Sequence, residues 1–482
     1  MGIIDHSVAS ASPGEAHLNI HAKVTRTNII SIAVAGMGSF VFGYCNNSIA
    51  GSFVQETFVE KFLSGRNADS IVGGILGGFL GGGLIGALIQ APISNRFGRR
   101  ITTGSAAVIT MVSGALQAGS VNTGMFMAAR VLCGIGAGIV ITNCPVYMSE
   151  ISPPHVRGML VGNHAISIVF AYMFSSLMAL AFNYVQQDYQ WRLQFVMLTF
   201  FGLMLLLSLF VLPESPRWLC DVGREEEAWI ILKRLHQSDH DPDNQLASAE
   251  MAQIKVHVEV ERTLPTGYMH ILRVPQLRHR AACSILVWIM GQSTGILVIA
   301  NLTPTLFGQL GYGVVLQLGL SVVWTFCALL GCIVNASFMD RVGRVKLLVL
   351  GGYLCSVILI FEAVLQKYYV GSTNTAGINA AVAFYFLFIF FYGCTIDCAA
   401  PASLAFAQIG WKYYWVMICA CVVSSTLMIF ICPETTNLTL EEIGAKFGDE
   451  VTLQSPTGRR DSKSKTGQIS NDEAQIETVE LR

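Results

Sequence analysis

Charged side chains are scarce in this chain, and those able to do chemistry gather where long apolar runs end. Asn95-Arg96-Phe97-Gly98-Arg99-Arg100 follows one run and Asp340-Arg341-Val342-Gly343-Arg344-Val345 follows another. Pro213-Glu214-Ser215-Pro216-Arg217 and Pro433-Glu434-Thr435 close two more, and Glu150 stands near Arg157 at a fifth. Arginines and acids at matched ends of helices pair and separate reversibly, which is the chemistry of a latch rather than of bond making. The candidate latch is Arg96, Arg99, Glu150, Arg157, Glu214 and Arg217 from the first half, with Asp340, Arg341, Arg344 and Glu434 from the second. The plainer alternative is an arginine belt that only anchors the chain, which needs no acids at matched places.

A second set lies inside the apolar runs: Arg130, His164, Glu362 and Asp397. Ionisable groups at membrane depth are costly and tend to mark function. Arg130 and Asp397 are the candidates for proton or ion coupling, while Glu362 sits near the outer end of its run, within reach of lipid headgroups. Catalytic residues are not expected, because no nucleophile–base pair, metal-ligand spacing or phosphate-cradling loop is present. No metal and no cofactor are expected for the same reason. Most of the 13 cysteines stand singly in apolar runs and read as free buried thiols. Asn301 and Asn437 begin Asn-X-Thr triplets but fall in membrane or cytoplasm, so neither is an expected glycosylation site.

The elements that position these groups follow from composition. Of 482 residues, 53% are apolar and 13% charged, against about 25% charged in soluble domains. The net charge of −1 gives no argument for nucleic acid as a partner. A bilayer core needs about 20 apolar residues per helix. Spans are expected near 28–50, 71–93, 101–121, 124–146, 159–182, 192–212, 281–308, 314–336, 346–366, 379–409 and 412–432. Loop arginines and lysines fall mainly on one side, which places both termini and residues 213–280 in the cytoplasm. The expected organisation is a tail (1–27), a first bundle (28–212), a cytoplasmic helical loop (213–280), a second bundle (281–447, incomplete near 394–402) and a disordered cytoplasmic tail (448–482). Within the loop, Glu225–Leu235 and Ser248–Arg262 read as amphipathic helices.

The arginine motifs and the Pro-Glu motifs each occur twice, so the chain consists of two related halves. That is the pattern of a carrier whose site lies between the halves at mid-membrane. The repeat does not close: Asn95 to Pro213 is 118 residues, but Asp340 to Pro433 is only 93. The segment matching Glu150 and Arg157 falls near residue 394, where Cys394-Thr395-Ile396-Asp397-Cys398 offers neither Glu nor Arg. The run 379–409 is too long for one span and too short for two. Two topologies stand open, a single crossing or a re-entrant hairpin turning at 397–401. The hairpin is preferred because it keeps the tail cytoplasmic.

These motifs, with Phe42-Gly43-Tyr44, Pro145-Val146-Tyr147-Met148-Ser149-Glu150, Gln292-Ser293-Thr294-Gly295, Gly410-Trp411-Lys412-Tyr413-Tyr414 and Leu440-Glu441-Glu442-Ile443, resemble the sugar porter family of the major facilitator superfamily, its fungal members above all. The resemblance covers residues 28–447. It implies an all-α membrane protein with a major facilitator fold of two six-helix pseudo-repeats, here truncated around spans ten and eleven. It implies carriage of a hexose or related carbohydrate or polyol by alternating access, with sugar and membrane lipid as partners. A monomer in the plasma membrane is expected. The family pattern in span seven reads Gln-Gln-x-x-x-x-Asn, where this chain has Gly291, Gln292 and Leu297, and the span-five Gln is Ala165. The polar set left for substrate is Gln292, Thr294, Asn301, His164 and Asn163. Proton symporters of the family resemble Phe-Gly-Tyr-Asp in span one, where this chain has Cys45. A thiol with an ordinary pKa of about 8.5 carries protons poorly near neutrality, so facilitated diffusion is favoured over symport. The alternative reading is a transport-inactive relative: a sensor, a regulator or a truncated gene product.

Overall fold

The computed structural model of the chain describes residues 26–65, 67–152, 157–185, 189–236, 244–263, 289–342, 344–369 and 374–396, with isolated residues between 282 and 286. The first half is six long helices: α1 (Arg26–Ser52), α2 (Ala68–Phe97), α3 (Arg99–Ala118), α4 (Thr123–Ile151), α5 (Arg157–Phe182) and α6 (Tyr189–Ser208). They match the expected spans one to six within a few residues. Three helices of the loop between the halves follow: α7 (Pro216–Asp221), α8 (Glu225–His236) and α9 (Gln245–Thr263). The second half contributes α10 (Ile296–Gln309), α11 (Val314–Val342), α12 (Arg344–Tyr369) and α13 (Thr375–Thr395). Eight of the described helices are long and apolar enough to cross a membrane.

Local chemistry sets the helix ends. Asn122 caps α4, its Oδ1 accepting from Met125 N at 2.8 Å, and Asn374 caps α13 through Ala376 N at 3.1 Å. Between α2 and α3 the chain reverses on one residue, Gly98, at φ +91°. Helices then pack through small residues, because lipid offers no hydrophobic drive for their association. A Cβ on Gly82 of α2 would stand 2.1 Å from Val131 O of α4, and one on Gly134 of α4 would stand 2.1 Å from Phe79 O. The abundance of glycine is thus a close backbone contact between α2 and α4. Leu84, Leu88, Val112, Leu116, Phe200 and Leu203 point outward as an apolar coat, as a lipid-facing surface requires.

Each half has its own core. In the first, Phe58, Phe126, Trp191 and Phe195 interlock, with Phe58 and Trp191 edge to face at 5.7 Å. In the second, Phe307, Trp324, Tyr385 and Phe388 are buried together. The loop helices form a small core of Trp218, Leu219, Ala228, Leu232 and Met251. Ile231 and Leu235 of α8 carry that unit onto Ala35, Tyr147 and Met148 at the inner end of the first half.

Two expectations are refined. Span seven is not one continuous helix: residues 289–293 are helical, the chain breaks at Thr294–Gly295 with Gly295 left-handed at φ +70°, and it resumes as α10. The run from 379 is already a complete span in α13, whose 21 residues suffice to cross. Ile396 N closes it by donating to Tyr392 O at 2.7 Å. The expected hairpin, the span at 412–432, Asp397, Glu434 and the motif Gly410–Tyr414 lie outside the described residues.

Candidate functional site

The latch residues of the first half converge at the α2–α3 turn. Arg99 grips Glu150 of α4 with two parallel bonds, Nε to Oε2 at 2.8 Å and Nη2 to Oε1 at 2.7 Å. The pair is largely shielded, with side chains 13% and 7% exposed. Glu214 does a different job. Its Oε1 accepts from Arg99 N at 2.9 Å and Arg100 N at 3.3 Å, so it caps the N-terminus of α3 from the segment that follows α6. Ser215 N donates to the same oxygen at 3.0 Å. Trp218 Nε1 donates to Asn95 O at 2.9 Å, and Tyr147 OH donates to Pro213 O. A side chain at Gly98 would collide with Glu214 Oε2, 2.6 Å from the Cβ position. Arg96 is exposed and lies against the Phe97 ring at 5.4 Å; Arg217 is half-buried. The side chains of Arg157, Asp340, Arg341 and Arg344 lie outside the description. The described pairing is therefore inside one half.

Sequence reasoning missed the hub beneath this latch. Asn143 of α4 donates through Nδ2 to Arg99 O at 2.9 Å and Thr103 Oγ1 at 2.8 Å. Its Oδ1 accepts from Gln90 at 3.0 Å and Ser94 at 3.2 Å. The available signal was an amide deep in an apolar run.

Burial raises the pKa of Glu214, and the backbone N–H groups of Ser215, Arg100 and Arg99 oppose that shift. Because the folded value is raised, Glu214 supports the fold most below the ordinary carboxylate value of about 4.3. That support fades as pH rises through the raised value. The expected outcome is a thermal midpoint difference, wild type minus Glu214→Gln, that is more favourable to wild type near pH 4 than near pH 7. A difference that grows with pH would contradict it.

The substrate candidates sit on the broken span seven and on α5. Gln292, just before the break, has both amide atoms buried without a partner among the described residues. Thr294 Oγ1 donates to Gly291 O at 2.6 Å and Asn301 Nδ2 to Leu297 O at 2.9 Å, so both are bound to their own helix. Asn301 Oδ1 keeps no partner. On α5, His164 Nδ1 lies 2.6 Å from Ser39 Oγ of α1. Asn163 Nδ2 lies 3.2 Å from the Cβ position of Gly36. Both stations flank a seam between the halves. Ile166 and Val169 of α5 pack into the second-half core, and Leu302 of α10 packs on both cores.

Near the C-terminal end of α1 a Cβ on Gly51 would stand 2.4 Å from Ala179 Cβ of α5, in the same half, and 3.6 Å from Leu318 Cδ2 of α11, across the seam. A narrow cleft remains there, lined by α1, α5, α10 and α11.

Arg130 is fully buried in α4. Its Nη1 donates to Cys45 O at 3.1 Å and its guanidinium lies over the Phe79 ring at 4.6 Å. Nε and Nη2 have no hydrogen-bond partner. Glu362 does not reach for headgroups as expected. It is 2% exposed and accepts from Gln366 Nε2 at 3.4 Å, and Gln366 donates on to Tyr385 OH at 2.5 Å. The amide of Gln366, one turn along the same helix, and the phenol of Tyr385 on α13 make inward burial cheaper than a stretch to the interface.

Residues 31–401 match the family described as "Sugar (and other) transporter". The chain is 26% identical to MFS-type transporter criB of Aspergillus cristatus over 91% of its own length and 97% of that protein. It is 30% identical to inositol transporter 4 of Arabidopsis thaliana over 67% of its own length and 56% of that protein. Among solved structures, the proton:xylose symporter XylE bound to 6-bromo-6-deoxy-D-glucose superposes with a TM-score of 0.73 at 22% identity, covering 87% of this chain and 99% of that one. The helices, the paired halves and the matched stretch agree: the chain is a multi-pass membrane protein of the major facilitator fold and belongs to the sugar (and other) transporter family.

Proposed function

We propose that the chain carries a neutral polyhydroxy solute, a sugar or a polyol, across the membrane by alternating access and down its gradient. The observation that carries this reading is Gln292, whose buried amide has neither of its atoms partnered at the break in span seven. Buried amides without partners are rare in folded proteins, and a solute hydroxyl satisfies both the donor and the acceptor. Broken helices at the seam between two repeats are where carriers bind their cargo. The family's description and a relative named as an inositol transporter support the solute class. Thr294, Asn301, His164 and Asn163 complete the central set, and the Arg99–Glu150 pair belongs to the latch that closes the inner side.

Downhill carriage rests on span one. Cys45 has no carboxylate to offer, and among the described residues Arg130 donates to the Cys45 backbone carbonyl and lies over an aromatic face, with no carboxylate against it. Arg130 thus ties α1 to α4 rather than passing a proton. The test is uptake of labelled glucose, xylose and inositol in cells lacking their own hexose carriers, with and without a protonophore. Uptake that equilibrates and ignores the protonophore is expected. Accumulation above the outside level that collapses with the protonophore would replace diffusion by symport. No uptake of any of the three would leave the transport-inactive reading, which the shortened second half favours.

A further inference from the structure

The outer cleft between the halves holds a polar set that the central site does not use. Trp324 of α11 lines it; the residue is 2% exposed and its Nε1 has no hydrogen-bond partner among the described residues. The hydroxyls beside it are already committed as donors to their own helices. Thr303 Oγ1 donates to Ile299 O at 2.6 Å, Ser321 Oγ to Gln317 O at 2.7 Å and Thr325 Oγ1 to Ser321 O at 3.0 Å. Asn47 of α1 has its Nδ2 on Tyr172 O and Ser176 Oγ, both at 3.0 Å. What these groups still offer is acceptor lone pairs and one donor, the indole N–H.

We propose that this cleft is an outer subsite for the carried solute, in which Trp324 Nε1–H donates to a solute oxygen and the hydroxyls of Thr303, Ser321 and Thr325, with Asn47 Oδ1, accept solute O–H groups. The inference rests on the alternating-access reading, because the cleft is narrow here and its two walls belong to different halves. Parting the halves widens it; closing them returns the indole to its orphaned state. The chemistry selects the solute. Among the described residues no charged side chain lines the cleft, so an ion finds no counter-charge from them. A surplus of acceptors suits a solute rich in O–H donors, and Ala50, Gly51, Ala179 and Leu318 beside the indole offer an apolar wall to a carbon skeleton. Substrate selection is thereby shared between a donor-and-acceptor amide at the centre and an acceptor-rich station outside it.

The test uses the full chain with Trp324→Phe, which keeps the ring and loses the N–H, and Thr325→Val, which keeps the shape and loses the acceptor. Entry kinetics are measured in cells, and binding of inositol and glucose to purified protein is measured by titration calorimetry. Each variant is expected to raise the entry KM and the Kd about ten-fold, the loss of one hydrogen bond to a bound solute, while kcat changes by less than about two-fold. Trp324→Phe is also expected to leave the solute-free thermal midpoint unchanged or higher, since it removes an unsatisfied donor, whereas a packing role would lower it. Wild-type KM and Kd in both variants would overturn the subsite with the transport reading intact. If wild type carries no solute yet binds one, and both variants bind it ten-fold more weakly, the subsite stands and the transport reading falls. If wild type binds neither solute, the subsite is overturned.

Discussion

Glu150→Ala in the full chain is expected to cut uptake about 30-fold at equal surface expression and to lower the thermal midpoint. The cause is the charge it leaves behind. Arg99 meets Glu150 through two short bonds in a largely shielded place, and removing one partner of such a pair leaves an uncompensated cation whose cost reaches about 3–5 kcal/mol when burial is complete. Arg99 is 13% exposed and keeps only Ser94 O, at 3.3 Å from Nη1. A loss of about 2 kcal/mol, or about 30-fold, is the proportionate figure. A double-mutant cycle separates the latch from simple anchoring. Arg99→Leu with Glu150→Leu is expected to cost about 1–3 kcal/mol less than the two single changes summed. If Glu150→Ala transports and melts as wild type does, the arginines only anchor the chain.

The latch also shows where sequence reasoning succeeds and where it stops. That Arg99, Glu150 and Glu214 belong together was legible, because acids beside arginines at the ends of apolar runs have little other reason to be there. Their partners were not. Reach across the bundle depends on how α3, α4 and the end of α6 are set side by side, and that comes from backbone contacts such as Gly82 against Val131. Glu214 reads from sequence as one acid of the latch, and what spacing does not show is that its carboxylate caps α3. Asn143, the hub of four bonds, looked like one polar residue in an apolar stretch.

Periodicity fared better than tertiary placement throughout. Runs of about 20 apolar residues announce a span whatever its neighbours do, and the amphipathic pieces at 225–235 and 248–262 reappear as α8 and α9. The break in span seven was hidden, because the proline of that run, Pro304, lies inside the helix after the break and only the left-handed backbone of Gly295 reveals the interruption. Trp324 was hidden for a related reason. A tryptophan among Val, Leu and Phe reads as packing until its N–H is found without an acceptor. The features that matter most at the seam are thus unsatisfied polar atoms, and satisfaction is a property of three-dimensional neighbours that no spacing encodes.

That distinction makes Gln292 the sharpest site test. Gln292→Leu is expected to lower kcat/KM for uptake about 100-fold while leaving the solute-free thermal midpoint equal or higher. Its amide Nε2 and Oε1 are both buried and unpartnered, so an empty carrier bears a desolvation cost of about 1–3 kcal/mol for each group. Leucine has nearly the same volume and removes that cost. A bound solute supplies both partners, and losing two such bonds at about 1–1.5 kcal/mol each gives the predicted fold-change. Thr294→Val is the milder comparison. Thr294 Oγ1 already donates to Gly291 O, so only its acceptor capacity is open to a solute and its loss is expected to cost transport less than about five-fold. Rates are read as labelled uptake per copy at the cell surface, and midpoints on purified protein in lipid discs. A Gln292→Leu variant that melts higher and fails to transport means that the chain gives up stability for a solute-binding amide. One that melts lower and still transports means that the amide belongs to the packing of span seven.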